Sequence, residues 1–591
     1  MNRTLTSVLL AGLLSSTANA AQVTMTSQSD WGVSFQGLTE IVNDENSAVD
    51  GWTLSFSSPF QIDQVWNAKI ISQTGNNYVI GNLDYNGLIQ PGESVNFGFI
   101  ASPGNAPMPA VIAFNGEEGS MPSPSPSPVM TPSPVVSPSP VVTPSPVVSP
   151  SPLVSPSPQV SPSPAVTPSP VVSMPPIAGG NTDDWLSVSG NTIVNKEGQA
   201  VWLTGANWFG FNTTERVFHG LWSANLDETL EAMADRGINL IRVPFSTEIV
   251  HEWMTGNAVT PQVNDYANPD LANKNSLEIF DIFLAKAKAH GMKVLLDAHS
   301  AEADNMGHIA PLWYKGEFDE KIFIDTWVWL AERYKNDDTV IAFDLENEPH
   351  GKAHSEADFA KWDTSTDANN WKYIAEKLSA AILDVHPDIL IMIEGIEVYP
   401  VDGQTWTSRN EDDYHFNWWG GNLRGVADLP IEVAGHQDKI MYSPHDYGPL
   451  VFQQSWFYPG FSKETLINDV WQDNWLFIHT DGTAPLLIGE WGGFLDGGPN
   501  EAWLEAMRSL IDEYKLHHTF WCLNPNSGDT GGLLGHDWKT WDEAKYNMLE
   551  PVLWQDEQGR YVGLDHEIPL GPNGLTVKQF YQNGGDEPLG L

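Results

Sequence analysis

From residue 183 onward, short apolar runs alternate with longer segments whose apolar positions recur at helical spacing. Eight runs stand out: "VWLTGANWFGF" (201–211), "NLIRVPF" (239–245), "KVLLDAH" (293–299), "VIAFDLENE" (340–348), "ILIMIEG" (389–395), "KIMYSPHDY" (439–447), "APLLIGEWG" (484–492) and "HHTFWCLN" (517–524). Helical candidates fill the gaps. In "SLEIFDIFLAKAKAHG", Ser276 is placed as a cap and Gly291 as a stop. Eight strands each followed by a helix predict an α/β fold, a (β/α)8 barrel over residues 183–591.

Each run is apolar first and polar at its C-terminal end. The ends offer Asn207, Arg242, His299, Asn347 with Glu348, Glu394, His445 with Tyr447, Glu490, and Trp521 with Asn524. In a closed barrel those ends converge on one mouth, the face that carries active sites. Random placement would scatter them.

The chain before residue 183 reads differently. Residues 117–182 are rich in Pro, Ser and Val, and the stretch 121–176 is uncharged with "TPSPVVSPSPVV"-like repeats. That composition buries no core and favours extended polyproline II, so the segment is expected to be a disordered linker. Residues 21–116 hold short alternating runs, "WGVSFQGLTEIVN", "GWTLSFSS" and "SVNFGFIAS" among them, split by turn signals such as "SQTGNN". They predict a small all-β sandwich. Residues 1–20, "MNRTLTSVLLAGLLSSTANA", have the charged start, apolar middle and small-residue end of a secretory signal. The apolar part is too short to span a membrane. The protein is expected to be secreted, extracellular and without a membrane anchor.

Composition narrows the partner. A net charge of −47 repels nucleic acid and other polyanions, so an uncharged substrate is expected. The 25 tryptophans suit stacking on flat ligands such as sugar rings, or, for many of them, filling the core with large side chains. The one cysteine, Cys522, lies in an apolar run and reads as buried filler; no internal disulfide is available.

The run "AFDLENEPHG" carries Asp344, Glu346 and Glu348, which share strand parity. Glu348 is last in the run and precedes Pro349, where the chain leaves the strand. Asp344 reads as a supporting acid and Glu346 as a rim or supporting acid. Strands four and seven lie on opposite sides of an eight-stranded ring, so Glu348 and Glu490 face each other across it. Two carboxylates across a cleft suit glycoside hydrolysis, one protonated to donate and one ionised to attack or to activate water. No HExxH-type ligand pair, P-loop or dinucleotide fingerprint occurs, and neither a metal nor a cofactor is expected.

"FDLENEPHG" resembles the Asn-Glu-Pro signature of glycoside hydrolase family 5, and "LLIGEWGG" resembles its nucleophile strand. "IRVPF", "LLDAH", "YSPHDY" and "FWCLNPNSGDTGG" match the remaining family segments in order, and "NWFGFNTTERVFHGLW" and "WWGGNLRGV" are similar to the bacterial endoglucanase subgroup. The resemblance covers most of residues 183–555. It implies Glu348 as acid/base, Glu490 as nucleophile, and retention through a glycosyl-enzyme. Arg242 and Tyr447 are then expected to keep Glu490 ionised, and Asn347 to bond the sugar 2-hydroxyl. His299 and His445 are expected to bind hydroxyls or tune the glutamates, and Trp521 to floor the cleaved sugar. Trp208, with Trp313, Trp418 and Trp419, is a candidate for further substrate contact or for core packing. The implied activity is that of a monomeric endo-β-1,4-glucanase acting on cellulose or a related neutral β-1,4-glucan. A β-mannanase or another β-1,4-glycanase on the same barrel, or a non-catalytic glycan-binding protein, are the alternatives.

"SDWGVSF", "VDGWTLSFSS", "QVWNAKI" and "NLDYNGLIQPGESVNFGF" resemble a family 2 carbohydrate-binding module. That likeness implies a flat row of Trp31, Trp66 and Tyr85 for crystalline cellulose, with Trp52 in the core. Two features depart from the family pattern: the disulfide joining the domain's ends is absent, and Tyr85 stands where Trp is common.

Overall fold

The computed structural model describes residues 22–30, 35–43, 48–66, 68–83, 86–90, 94–102, 106–109, 111–115, 117–120 and 183–589. The expected signal (1–20), most of the expected linker, and Trp31 and Tyr85 lie outside the described residues. The chain divides into two compact units, Met1–Gln159 and Val160–Leu591.

In the first unit, two antiparallel sheets form a sandwich. One orders its strands Gln22–Asp30, Phe35–Val42, Ser94–Ser102, Gln61–Trp66; the other orders Glu117–Ser120, Val111–Phe114, Thr53–Ser57, Asn77–Gly81, Lys69–Thr74. Alternation drives this arrangement: in Thr53–Ser57 and Asn77–Gly81, Leu54, Phe56, Tyr78 and Ile80 point into one core. Trp52 is buried there, stacked on Phe97 at 5.7 Å, and its Nε1–H donates to Asn86 O at 2.8 Å. Trp66 ends its strand, and its side chain is not among the described groups.

The second unit is the expected barrel. Its parallel strands are β1 (Thr204–Asn207), β2 (Leu240–Ser246), β3 (Lys293–Ser300), β4 (Val340–Asp344), β5 (Leu390–Ile393), β6 (Ile440–Tyr442), β7 (Leu487–Trp491) and β8 (His517–Phe520). Each pairs with the next from β1 to β6, β7 pairs with β8, and β8 pairs with β1. Bridges Tyr442↔Leu486 and His445↔Glu490 close the ring between β6 and β7. The strands are buried on both faces, which explains their nearly continuous apolar runs.

Three local expectations are corrected. The helix Ser276–Ala289 is capped by Asn275, not Ser276: Asn275 and Glu278 form a reciprocal capping box, while Ser276 Oγ accepts from Trp253 Nε1 at 2.7 Å. The link from β5 to β6 carries no α-helix but a short hairpin (Val398–Pro400 with Tyr414–Phe416) and 3-10 turns, in a stretch containing Pro400, Gly403, Gly420, Gly421 and Pro430. And β4 ends at Asp344, short of the predicted run, with Glu348 beyond it at φ 53°, outside the extended range.

The C-terminal segment is part of the barrel, not a loose end. Asp565 reaches Lys293 Nζ at 3.3 Å, beside Asp184 at 3.2 Å and Asp338 at 3.0 Å, at the N-terminal end of β3. Val562, Leu564, Leu570, Leu575 and Phe580 bury themselves in the same core. Among the described residues, no helix is long and apolar enough to cross a membrane.

Candidate active site

The mouth is organised around one cation. Arg242, on β2 and fully buried, uses every nitrogen. Its Nε donates to Asp344 Oδ2 at 3.1 Å, and its Nη1 to Asn207 Oδ1 at 3.0 Å and Glu490 Oε1 at 2.8 Å. Its Nη2 donates to Asn347 Oδ1 and Glu394 Oε1, both at 3.1 Å, and lies 3.1 Å from Asp297 Oδ1. Only a planar fork with five donors meets so many acceptors at once. One guanidinium cannot balance Asp297, Asp344, Glu394 and Glu490 together in a dry site. Burial accordingly pushes Asp344 up to about 7 and Glu394 well above the carboxylate range.

Glu348 and Glu490 come from opposite sides of the ring, and their carboxyl oxygens, with a His445 nitrogen, all fall within 4.8 Å of one another. Their environments differ in sign. Burial raises Glu348 to about 7, against the lowering hydrogen bond from His445 and with the raising charge of Glu490. Burial also works against ionised Glu490, but the charges of His445 and Arg242, then His299 and the Tyr447 hydroxyl, hold it below its ordinary value. Tyr447 Oη donates to Glu490 Oε2 at 2.5 Å. Two carboxyls of one residue type are thus driven apart, the condition for an acid and a base in one site.

The support of Glu348 is equally specific. Its N–H donates to Glu394 Oε2 at 2.7 Å, and His445 Nδ1 lies 2.9 Å from its Oε1. His445 Nε2 lies 3.1 Å from Glu394 Oε1. Gly420, at φ +68°, passes so close that a Cβ there would stand 2.3 Å from Glu394 Oε2 and 3.3 Å from Glu348 Cα, so only glycine fits. Glu394 ends its run with the same apolar-then-polar signature as the others; Gly420 and Asp446 carried no such signal.

The other expected residues sort as follows. Asn347 uses Oδ1 as acceptor for Arg242, which leaves its amide hydrogens for another acceptor. His299 Nδ1 lies 2.8 Å from Asp297 Oδ2, and its ring runs parallel to the Trp521 ring, with centroids 5.5 Å apart. Trp521 is half-buried, also nearly parallel to Phe209 at 5.6 Å, and its Nε1–H donates to Ser527 Oγ at 3.2 Å. Trp208 is corrected to a core residue: 1% exposed, stacked on Phe218 at 4.2 Å and donating to His219 O at 3.0 Å, it presents no ring face to a ligand. Trp313 and Trp418 are buried as well. Trp419 is half-buried, stacked on His350 at 3.7 Å, and lines a cavity of about 260 Å³ with Glu397 and Lys352. Glu346 is buried beside the site and held well above the carboxylate range, by burial first and then by Asp297, Glu394 and Asp344. Cys522 is free and buried.

Among the described residues, two of the four groupings whose ligand atoms lie close enough for a metal are at this mouth: Glu348, His445 and Glu490, and Asp344, Glu394 and His445. Arg242 bonds to Glu490, Asp344 and Glu394 and already supplies their positive charge. In the same way Lys293 sits among Asp184, Asp338 and Asp565. A cationic side chain thus occupies the place beside Asp344, Glu394 and Glu490, and beside Asp184, Asp338 and Asp565.

Comparison with known proteins agrees with this geometry. Residues 194–527 match the cellulase model of glycosyl hydrolase family 5, and residues 21–119 match the cellulose binding domain model. Endoglucanase G of Acetivibrio thermocellus is 51% identical over 434 residues, 68% of this chain and 76% of that protein. An endoglucanase of Paenibacillus polymyxa is 39% identical over 368 residues, 62% of this chain and 86% of that protein. Among solved structures, the catalytic domain of the major endoglucanase from Xanthomonas campestris superposes with a TM-score of 0.55 at 34% identity, covering 62% of this chain and 99% of that one. An endocellulase from the archaeon Pyrococcus horikoshii gives 0.55 at 35% identity over 63% of this chain and 98% of that one. With its ring of eight parallel strands and its paired glutamates, the chain belongs to glycosyl hydrolase family 5, the cellulases, and carries a cellulose binding domain ahead of the barrel.

Proposed function

We propose that the protein is a secreted, monomeric endo-β-1,4-glucanase that cuts internal bonds of cellulose with retention of anomeric configuration. What carries this reading is the approach of Glu348 and Glu490 within 4.8 Å, with one held up to about 7 and the other held down. Retaining enzymes place their carboxyls about 5–5.5 Å apart, and inverting ones about 6.5–9.5 Å apart to admit a water.

Ionised Glu490 attacks the anomeric carbon, and the glycosidic C–O bond breaks as Glu348 delivers its proton to the leaving oxygen. Once the leaving glucan departs, Glu348 is a carboxylate. It takes a proton from water as the water oxygen bonds to the anomeric carbon and expels Glu490. Arg242 and Tyr447 stabilise Glu490 as the leaving carboxylate. Asn347 donates to the 2-hydroxyl, His299 bonds a neighbouring hydroxyl, and Trp521 stacks under the sugar. The negative surface, at a net charge of −47, suits a neutral polymer and not nucleic acid or an anionic membrane. The binding domain, through Trp31, Trp66 and Tyr85, holds the enzyme on the solid, which raises the local concentration of cleavable chains.

Reducing-sugar release on carboxymethylcellulose against galactomannan, with proton NMR of the earliest product, tests the proposal. The expected result is preference for the glucan and early β-anomer. Preference for galactomannan overturns the substrate assignment, and early α-anomer overturns retention.

A further inference from the structure

The segment leaving β6 sends two side chains to the glutamate pair, His445 to Glu348 and Tyr447 to Glu490. The residue between them, Asp446, turns the opposite way, as an extended segment requires. Its carboxyl is fully buried. There Oδ2 accepts from Trp471 Nε1 at 3.0 Å and Oδ1 accepts from Trp503 Nε1 at 2.9 Å. The indoles come from separate elements: Trp471 from the π-helix Ile467–Leu476, Trp503 from the helix Pro499–Tyr514. The Asp446 N–H donates to Glu490 O at 3.1 Å. One residue therefore joins the end of β6, the end of β7 and two outer helices at the seam that closes the barrel.

A carboxyl in a dry site with only neutral donors is a poor way to stabilise a fold. Apolar packing of the same volume does it without the desolvation cost. The arrangement makes sense if direction matters more than stability. From these contacts we propose that Asp446 is a positioning residue: two indole N–H groups fix its side chain, and so fix the register of His445 against Glu348 and of Tyr447 against Glu490. It touches no substrate. Its influence passes through the backbone to the groups that face the pair: His445 and Glu394 at Glu348, and Arg242, Tyr447, His445 and His299 at Glu490. This rests on the reading of Glu348 and Glu490 as the reacting carboxyls.

The test uses the full chain and the variants Asp446→Ala, Asp446→Asn, Trp471→Phe and Trp503→Phe, with Glu490→Ala as control. Soluble carboxymethylcellulose is the substrate, kcat, KM and the pH profile are measured, and each variant is melted. The expected result for Asp446→Ala is a kcat lower by about 10- to 100-fold with KM nearly unchanged. Both limbs of the pH profile move upward, since Glu348 loses the lowering bond from His445, and Glu490 loses His445 and Tyr447. Asp446→Asn keeps one acceptor and falls between. Each Trp→Phe variant shows a smaller loss in the same direction, and Asp446→Asn with Trp471→Phe is no worse than Asp446→Asn alone. A lower melting temperature with kcat and both limbs unchanged means a structural tie only and overturns the proposal. If Asp446→Ala does not fold, the Trp→Phe pair decides: normal kcat and limbs in both overturn it. An active Glu490→Ala instead overturns the underlying assignment of the reacting pair.

Discussion

His445 Nδ1 stands 2.9 Å from Glu348 Oε1, and this one imidazole also reaches to 3.7 Å from Glu490 Oε2. One imidazole therefore links the two glutamates, whose surroundings push Glu348 up and Glu490 down. Removing either side chain is expected to lower kcat by about three orders of magnitude or more, with the melting temperature nearly kept. Azide separates the roles. Added to Glu348→Ala it should restore turnover of an activated aryl cellobioside and give a β-glycosyl azide; added to Glu490→Ala it should give the α-azide. Exchange of those products between the variants reverses the two roles.

The pH profile of kcat/KM should be a bell. Its alkaline limb belongs to Glu348, near 7, and its acid limb to Glu490, below the ordinary glutamate value. Tyr447→Phe deletes the hydroxyl that donates to Glu490 Oε2. The acid limb should then rise by about one pH unit, the worth of one charge-assisted hydrogen bond of roughly 1.4 kcal/mol, while the alkaline limb stays. An acid limb unmoved in Tyr447→Phe removes Tyr447 from the account of Glu490.

Two tryptophans that look alike in sequence should behave in opposite ways. Trp208 is core, so Trp208→Ala leaves a cavity and should destabilise by about 3–5 kcal/mol. Trp521 is half-buried beside His299, so Trp521→Ala should raise KM and lower kcat with a much smaller loss of stability. Denaturant titration beside steady-state kinetics distinguishes them, and equal stability loss in both refutes the distinction.

For the binding domain, Trp31→Ala with Trp66→Ala should abolish pull-down on microcrystalline cellulose while leaving the rate on soluble carboxymethylcellulose unchanged. Each stacked ring lost is worth about tenfold in Kd or somewhat less. Unchanged retention on the solid rejects the flat-row assignment.

The barrel was legible in the sequence because its strands are buried on both faces and so write themselves as apolar runs. The site was legible because each run turns polar where it reaches the mouth. Arg242, Glu348, His445, Tyr447 and Glu490 do meet there. What escaped depends on the path of the chain rather than on local pattern. A ring such as Trp208 has the same signature in a core or in a cleft, and only the packing of Phe218 against it decides. Parity sends Asp446 away from its neighbours, but its partners Trp471 and Trp503 lie on later helices that no spacing rule connects to it. The need for glycine at 420 appears only once Glu394 and Glu348 are placed against it.

Stability should fall on the alkaline side of neutrality, between pH 6.5 and 8. In the unfolded chain aspartate titrates near ~4, whereas burial raises folded Asp344 to about 7 and Asp446 to about 8. Between those values the folded state holds protons that the unfolded state has released. Stability present at low pH is therefore lost as pH rises, by up to about 1.4 kcal/mol per pH unit for each unmatched proton. Below 6.5 this trend is opposed. Burial lowers His518 and His386 to about 4 and His517 to about 3, so unfolding there takes up protons and stability rises with pH. Depressed Glu490 adds to the same side, its contribution present above the unfolded value and lost as pH falls through the folded one. Above pH 6.5 the unfolded histidines lose their remaining protons within about one pH unit, and the raised acids dominate the slope. Denaturant midpoints at pH 5, 6.5 and 8 should therefore be similar at the first two and lower at the third. Asp446→Asn, which has no proton to lose, should be less stable at pH 5 but flatter between 6.5 and 8. A midpoint that climbs from pH 6.5 to 8 in the natural chain contradicts the protonated state assigned to Asp446.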